Sequence, residues 1–246
     1  MRLAPDGLRE IIIATAVFGT GTVASVWASL DISGWFWFAA GPSAVLWLFC
    51  LAFFRDPKRV IPDEQGLLVS PADGKVTEVA TVDGVEGIDG PAIKISIFLS
   101  VFNVHVNRTA CSGRVVRTDY QPGEFLDARH PECGIRNERN TIVVEPDKGI
   151  RGPVIIRQIA GLIARRIVCN VTSGDVLQRG QRIGLIKFGS RTDLLVPADS
   201  GLEPTVQVND HVKGGATILM RSAKIHPTVG QSDDRRLVES TVENDL

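Results

Sequence analysis

The sequence predicts a mainly β domain, folded as a flattened β sandwich, that follows an N-terminal two-helix membrane hairpin. Two uncharged stretches near the N-terminus predict the hairpin, because each has the length of a membrane-crossing helix. Short Val- and Ile-rich segments, bounded by Gly, Pro, Asp or Asn, predict the β domain. The 246 residues carry a formal net charge of -1, so no basic surplus indicates nucleic-acid binding.

The hairpin is predicted within residues 1–60, with helices at about 11–30 and 35–54. Neither stretch contains a charged residue, and a polar turn at 31–34 joins them. Each has the roughly 20 residues that a helix needs to cross about 30 Å of hydrocarbon. A cleavable signal peptide fits poorly, because a second apolar stretch follows at once. A hairpin that re-enters one leaflet and a soluble core hairpin are the alternatives left open.

Positive residues on both flanks of the hairpin predict its orientation. Arg55, Lys58 and Arg59 follow the second stretch, and Arg2 and Arg9 precede the first. The loop between the stretches has none, so the positive-inside rule places both ends in the cytoplasm. We therefore expect the β domain on the cytoplasmic side of a membrane.

The β domain is predicted over residues 61–222, with a long loop at 122–138 and an irregular or short helical segment at 159–164. The polar residues 223–246 predict a disordered tail. The predicted strands are 67–69, 76–82, 92–99, 113–118, 141–145, 154–158, 166–171 and 182–187.

An internal repeat is visible within the β domain. Residues 174–184 and 209–219 both place an Asp five residues before a Gly, and residues 70–74 share Pro-Ala-Asp with 196–201. Such repeats predict a recurring tight turn between short strands. The pattern resembles biotinyl- and lipoyl-carrier domains. No Met-Lys pair of the carrier type occurs, however, so the repeat predicts architecture and not carrier function.

The cysteines predict no metal site. None forms a C-x-x-C pair, and none lies at zinc-ligand spacing from another Cys or a His. Four reduced thiols on a cytosol-facing protein are the expected state. The cysteines are Cys50, Cys111, Cys133 and Cys169.

The dipeptide Gly189-Ser190 could allow the chain to cut itself. A serine hydroxyl can attack the preceding carbonyl, and a glycine there permits strained backbone geometry. The attack needs a base, for which His105 is a candidate because it interrupts an apolar stretch, although a structural histidine is the alternative. His130, in the long loop, could reach a substrate or be merely exposed. Asp73 could orient the base, or it could be a turn residue like Asp199.

Four motifs in order resemble the phosphatidylserine decarboxylases, in their short bacterial and archaeal form. They are Phe-Phe-Arg-Asp-Pro at 53–57, Ser-Pro-Ala-Asp-Gly-Lys-Val at 70–76, Phe-Asn-Val-His-Val-Asn-Arg at 102–108 and Phe-Gly-Ser at 188–190. The resemblance implies self-cleavage between Gly189 and Ser190, with Asp73, His105 and Ser190 as the catalytic set. Ser190 would become a pyruvoyl cofactor that forms a Schiff base with phosphatidylserine and yields phosphatidylethanolamine.

The resemblance also implies a bacterial-type cell membrane as the location. It further implies that the self-cleaved chains 1–189 and 190–246 stay associated, and it leaves a homo-oligomer open. Two positions depart from the family pattern. Arg191 stands where many members have Thr, and Phe102 stands where longer members have a second His. A membrane serine protease of the signal-peptidase type and a lipoyl-like carrier are the competing hypotheses.

Overall fold

A computed structural model describes residues 2–147, 149–162, 166–187 and 189–222. The prediction of a mainly β domain preceded by a two-helix hairpin is confirmed. The predicted disordered tail, 223–246, lies outside the described residues, as does part of the segment at 159–164.

The hairpin consists of the helices Pro5–Asp31 and Gly34–Phe53, each long and apolar enough to cross a membrane. The first helix includes a π-helical turn at Thr15–Gly19. Its start at Pro5, and not near residue 11, is the main difference from the sequence prediction. The short strands Arg2–Leu3 (β1) and Arg55–Asp56 (β2) pair, so both ends of the hairpin meet beside the β domain.

The first helix begins early because its charged first turns dock onto the β domain. Glu10 accepts a hydrogen bond from Lys187 Nζ at 2.6 Å, and Asn170 Nδ2 donates to Asp6 at 3.0 Å. These contacts place both charged side chains against the β domain. Phe53 and Phe54, both fully buried, join the same docking surface.

The β domain contains one eight-stranded antiparallel sheet and two three-stranded sheets. The large sheet has the order β11-β7-β8-β9-β13-β5-β4-β15, and the small ones are β10-β12-β6 and β14-β16-β3. The strands are β3 Leu67–Val69, β4 Gly74–Val82, β5 Ala92–Leu99, β6 Val106–Arg108, β7 Gly113–Gln121, β8 Arg139–Pro146, β9 Val154–Ile159, β10 Ile167–Cys169, β11 Val176–Leu177, β12 Arg182–Ile186, β13 Ser190–Pro197, β14 Leu202–Pro204, β15 His211–Val212 and β16 Ile218–Ser222.

The central strand of the large sheet is β13, which pairs with β9 on one side and β5 on the other. Its alternate residues face opposite ways, as in any strand. Leu194 and Val196 enter the main core, whereas Leu195 packs into a smaller cluster on the other face. All eight residues of β13 are buried. The cleavage candidate Ser190 thus begins the best-protected strand of the domain.

The internal repeat corresponds to two equivalent turns. Gly174 N donates to Val115 O and Asn209 N donates to Val76 O, each at 2.8 Å. Asp175 and Asp210 repeat the pattern, because each side chain accepts a backbone N–H three residues earlier. Asn209 has a φ of 83°, the left-handed conformation that Gly174 adopts at the same place.

Candidate active site

Ser190 is fully buried, and its Oγ has no hydrogen-bond partner among the described residues. A buried hydroxyl without a partner is costly and calls for an explanation. The preceding Gly189 has a φ of 62°, a conformation that glycine adopts without strain. The pair therefore joins an available nucleophile to a bond in unusual geometry.

His105 lies directly beside this bond. The backbone N–H of Gly189 donates to His105 Nε2 at 3.3 Å, and Nδ1 lies 3.0 Å from the carbonyl oxygen of Asn103. A carbonyl can only accept, so Nδ1 carries the proton and the lone pair of Nε2 accepts from the Gly189 amide, one peptide before the Gly-Ser bond. Burial lowers the pKa of His105 to about 4. At neutral pH the ring is consequently an uncharged base.

The helical hairpin supplies one wall of this site. The Phe53 ring, at the end of the second helix, lies 4.2 Å from the His105 ring, centroid to centroid, with the planes tilted by 33°. Both side chains are essentially inaccessible to solvent. This contact contributes to the burial of the base, and burial is the largest cause of its lowered pKa.

Gly161 closes the site on the side of the scissile carbonyl. A Cβ built on Gly161 would lie 2.2 Å from the oxygen of Gly189 and 3.2 Å from its carbon. Gly161 follows β9, which pairs with β13. The carbonyl of the Gly-Ser bond therefore occupies the space that a side chain would need.

Asp73 lies at the same end of the sheet, immediately before β4, but its described contacts are elsewhere. Oδ2 accepts from Arg59 Nη2 at 2.6 Å, and Oδ1 accepts from Gly214 N at 2.8 Å. Burial raises the pKa of Asp73 although Arg59 opposes the change. The structure thus brings His105 to the amide of Gly189, next to Ser190, while Asp73 lies two strands from β13 and is bound to Arg59.

A buried chain of amides supports the site, and sequence reasoning missed it. Gln158 Nε2 donates to Asn107 Oδ1 at 2.9 Å, and Asn107 Nδ2 donates to Thr192 Oγ1 at 3.0 Å. Asn140 Nδ2 extends the chain by donating to Gln158 at 3.0 Å. Thr192 shares a strand face with Ser190, so this network fixes the start of β13. Polar residues inside otherwise apolar strands were the available signal.

Arg191, which departs from the family pattern, lies on the opposite face of β13. Its guanidinium binds Asp193 through two hydrogen bonds, at 2.6 and 3.0 Å, and lies 3.5 Å from Cys133 Sγ. Arg191 and Asp193 are both buried. Arg191, the residue that follows Ser190, is therefore anchored by a buried ion pair.

Neither His130 nor His211 has a described contact with Gly189 or Ser190. His130 is exposed in the long loop, where its Nδ1 accepts from Glu132 N, and His211 is exposed in β15. Phe102, at the second-histidine position, packs edge-on against Phe49 of the hairpin. His226 lies outside the described residues.

Metal ligation has no support in the described part of the chain. No group of three or more His, Cys, Asp or Glu residues there could hold an ion. The four cysteines have no disulfide partner.

Comparison with known proteins adds an independent line of evidence. Residues 46–220 match the family model described as phosphatidylserine decarboxylase. The phosphatidylserine decarboxylase proenzyme of Rhodopirellula baltica is 48% identical over 217 residues, which cover 87% of this chain and 86% of that protein. The proenzyme of Trichlorobacter lovleyi is 50% identical over 74% of this chain and 82% of its own. The proenzyme of Zymomonas mobilis is 42% identical over 87% of this chain and 85% of its own.

Proposed function

The chain belongs to the phosphatidylserine decarboxylase family, and from this premise we propose that it converts phosphatidylserine to phosphatidylethanolamine at a membrane surface. We propose that its cofactor is a pyruvoyl group made from Ser190. One observation carries the assignment of the residues. The buried, unpartnered Ser190 hydroxyl follows a glycine whose amide is bound by the neutral His105.

The first step is an attack within the chain. His105 Nε2 exchanges its hydrogen bond from the Gly189 amide for the Ser190 hydroxyl and takes the proton of Oγ, while that oxygen bonds to the carbonyl carbon of Gly189. The carbon–nitrogen bond then breaks as His105 returns the proton to the nitrogen, which leaves an ester and a free amine on Ser190. The positive φ of Gly189 supports this step, because it turns the bond out of ordinary strand geometry.

The second step opens the ester. Loss of the Ser190 Cα proton expels the Gly189 carboxylate and leaves an enamine, which takes up water and releases ammonia. The product is a pyruvoyl group at the start of β13. Such a group supplies an electron sink for loss of CO2 from an amine-bound substrate. His105 lies where it can return the proton to the substrate carbon.

Asp73 acts in this proposal from a distance. The place of an orienting acid at His105 Nδ1 is held by the carbonyl of Asn103. Asp73 instead holds Arg59, which lies in the segment just after the hairpin. We propose that Asp73 contributes to self-cleavage through the charge of its ion pair with Arg59 at this end of the sheet.

The two products of cleavage stay together in this scheme. The new chain would begin with β13, whose backbone is hydrogen-bonded to β5 along its whole length and to β9 over residues 191–195. Leu194 and Val196 of this strand belong to the main core, and Leu195 belongs to the smaller cluster on the other face. Cutting one bond at the start of this strand leaves those interactions intact.

The hairpin brings the site to its lipid substrate. A soluble enzyme would have to lift two acyl chains from the bilayer, at about 0.8 kcal/mol for each exposed CH2. Phe53 belongs to the hairpin and contacts His105, so the site lies where the second helix ends. We propose that the hairpin spans the bilayer with the site on the cytoplasmic side, as Arg55, Lys58 and Arg59 favour.

Intact mass spectrometry of the purified full chain tests the proposal. Two chains should appear, the smaller one beginning at residue 190 and resisting Edman sequencing. Together they should exceed the uncut chain by about 1 Da, because one water is gained and one ammonia lost, whereas hydrolysis adds about 18 Da.

The matched variants are Ser190→Ala and Ser200→Ala. Both serines are buried, and neither hydroxyl has a hydrogen-bond partner among the residues that the structure describes, but Ser200 lies beyond the far end of β13. Ser190→Ala should remain uncut and inactive, whereas Ser200→Ala should mature normally. A Ser190→Ala protein that still decarboxylates phosphatidylserine would disprove the cofactor assignment.

A further inference from the structure

Gly161 is a glycine for reasons of space and not of backbone conformation. Its φ is not in the positive, left-handed range, so its backbone conformation is compatible with a side chain. The obstacle is the carbonyl of Gly189, whose oxygen would lie 2.2 Å from a Cβ at this position. Real Cβ atoms essentially never approach another heavy atom within 3.0 Å.

We propose that Gly161 is a positioning residue for self-cleavage, because its bare Cα admits the Gly189 carbonyl oxygen and thereby presents the carbonyl carbon to Ser190. This inference rests on the proposed cleavage between Gly189 and Ser190. It adds a residue from β9's end to the groups that act on the bond. Gly161 lies against the carbonyl group of Gly189, whereas His105 accepts a hydrogen bond from the backbone N–H of the same residue.

Both sides of this contact are held in place by neighbouring strands. Ile159 pairs with Arg191 and with Arg139, and Ala160 N donates to Glu138 O at 2.9 Å, so the chain entering Gly161 is fixed. Ser190 pairs with Leu99, which fixes the chain leaving Gly189. The contact is therefore held where the chain enters Gly161 and where it leaves Gly189.

The geometry sets the size of the effect. An alanine at Gly161 would have to move the Gly189 oxygen from 2.2 Å to beyond 3.0 Å, a displacement close to 1 Å. Displacements of about 1 Å from reactive geometry reduce rates by roughly 100-fold. Gly161→Ala should therefore slow the first-order rate of self-cleavage by about that factor.

Gly113→Ala is the matched control. A Cβ on Gly113 would lie 2.2 Å from the oxygen of Glu145, so the steric conflict with a backbone carbonyl is the same. Gly113 begins β7, however, and its neighbour is not the scissile bond. We expect Gly113→Ala to lower thermal stability as Gly161→Ala does, and to cleave within a few-fold of the unaltered protein.

The experiment follows cleavage of the full chain made by cell-free synthesis in phospholipid nanodiscs, with decarboxylation measured per pyruvoyl group. Turnover per cleaved chain should fall much less in Gly161→Ala than the cleavage rate, since the Gly189 carbonyl is a free carboxylate after the cut. Equal losses in both quantities would indicate a general folding defect and refute the inference.

A second variant distinguishes the steric conflict with the Gly189 carbonyl from the weaker contact with Ala128. Ala128 Cβ would lie 3.2 Å from the new methyl group, so Gly161→Ala with Ala128→Gly removes that lesser contact. We expect no recovery of the cleavage rate. Recovery would show that Ala128 causes the defect and overturn the inference. An unaltered chain that is not cut before Ser190 would instead reject the proposed function.

Discussion

Replacing Phe53 should change the pH dependence of self-cleavage, because its ring shields the proposed base from water. The Phe53 and His105 rings lie 4.2 Å apart, and burial lowers the pKa of His105 to about 4. Phe53→Ala would admit water and move that pKa toward its ordinary value near 6.5. Such a result would show that the hairpin, through Phe53, keeps His105 uncharged in the unaltered protein.

The size of the change follows from the two pKa values. With a pKa near 4, about nine-tenths of His105 is neutral at pH 5, so cleavage should hardly slow between pH 7.5 and 5. With a pKa near 6.5, only about 3% is neutral at pH 5. Cleavage by Phe53→Ala should therefore fall roughly thirtyfold over the same interval.

The assay is a pulse-labelled synthesis in nanodiscs, chased in buffers from pH 4.5 to 7.5, with both chains resolved on a denaturing gel. Phe49→Ala is the control, because Phe49 lies one turn earlier on the same helix and contacts Phe53 and Phe102. It should keep the profile of the unaltered protein. A Phe53→Ala profile that coincides with that of Phe49→Ala would refute the reasoning.

Two further substitutions test the charged groups around the site. Asp73→Asn removes the ion pair with Arg59 and should slow self-cleavage at least tenfold. Its control is Asp199→Asn, in the repeated but exposed turn, which should be cleaved at the normal rate. If the two variants are cleaved at equal rates, Asp73 has no part in the mechanism. Arg191→Met leaves the Asp193 carboxylate buried and unpaired, so it should lower the free energy of unfolding by about 3–5 kcal/mol. Urea denaturation checks this value, and a change below about 1 kcal/mol would show that water reaches Asp193.

The sequence predicted most strands because their signals are local. All eight predicted segments contain a strand, since Val- and Ile-rich runs between turn residues have few other stable states. Several strands had no predicted segment, and the longest of these was β13, where Arg191 and Asp193 interrupt the apolar pattern. Those charges can be buried because they form an ion pair and face away from the main core, which local composition does not reveal.

The site was only partly accessible to the same reasoning. The family motifs singled out Ser190 and His105, and the structure places His105 against the amide of Gly189, the residue before Ser190. Asp73 was chosen from its motif, but its partner Arg59 follows from the path of the chain after the hairpin. His105, which interrupts an apolar stretch of the sequence, lies just before β6 and outside any strand. This irregular backbone lets Asn103 hold the Nδ1 proton.

By itself, the sequence determined the hairpin, the β-rich composition of the domain, its repeated turns and the Gly189-Ser190 candidate. Each depends on hydrophobic length, periodicity or turn chemistry within a few neighbouring residues. Only the tertiary structure decided that Phe53 covers His105 and that Gly161 makes room for the Gly189 carbonyl. These contacts join residues far apart in the chain, and they arise because the ends of different strands and one helix pack at the same point.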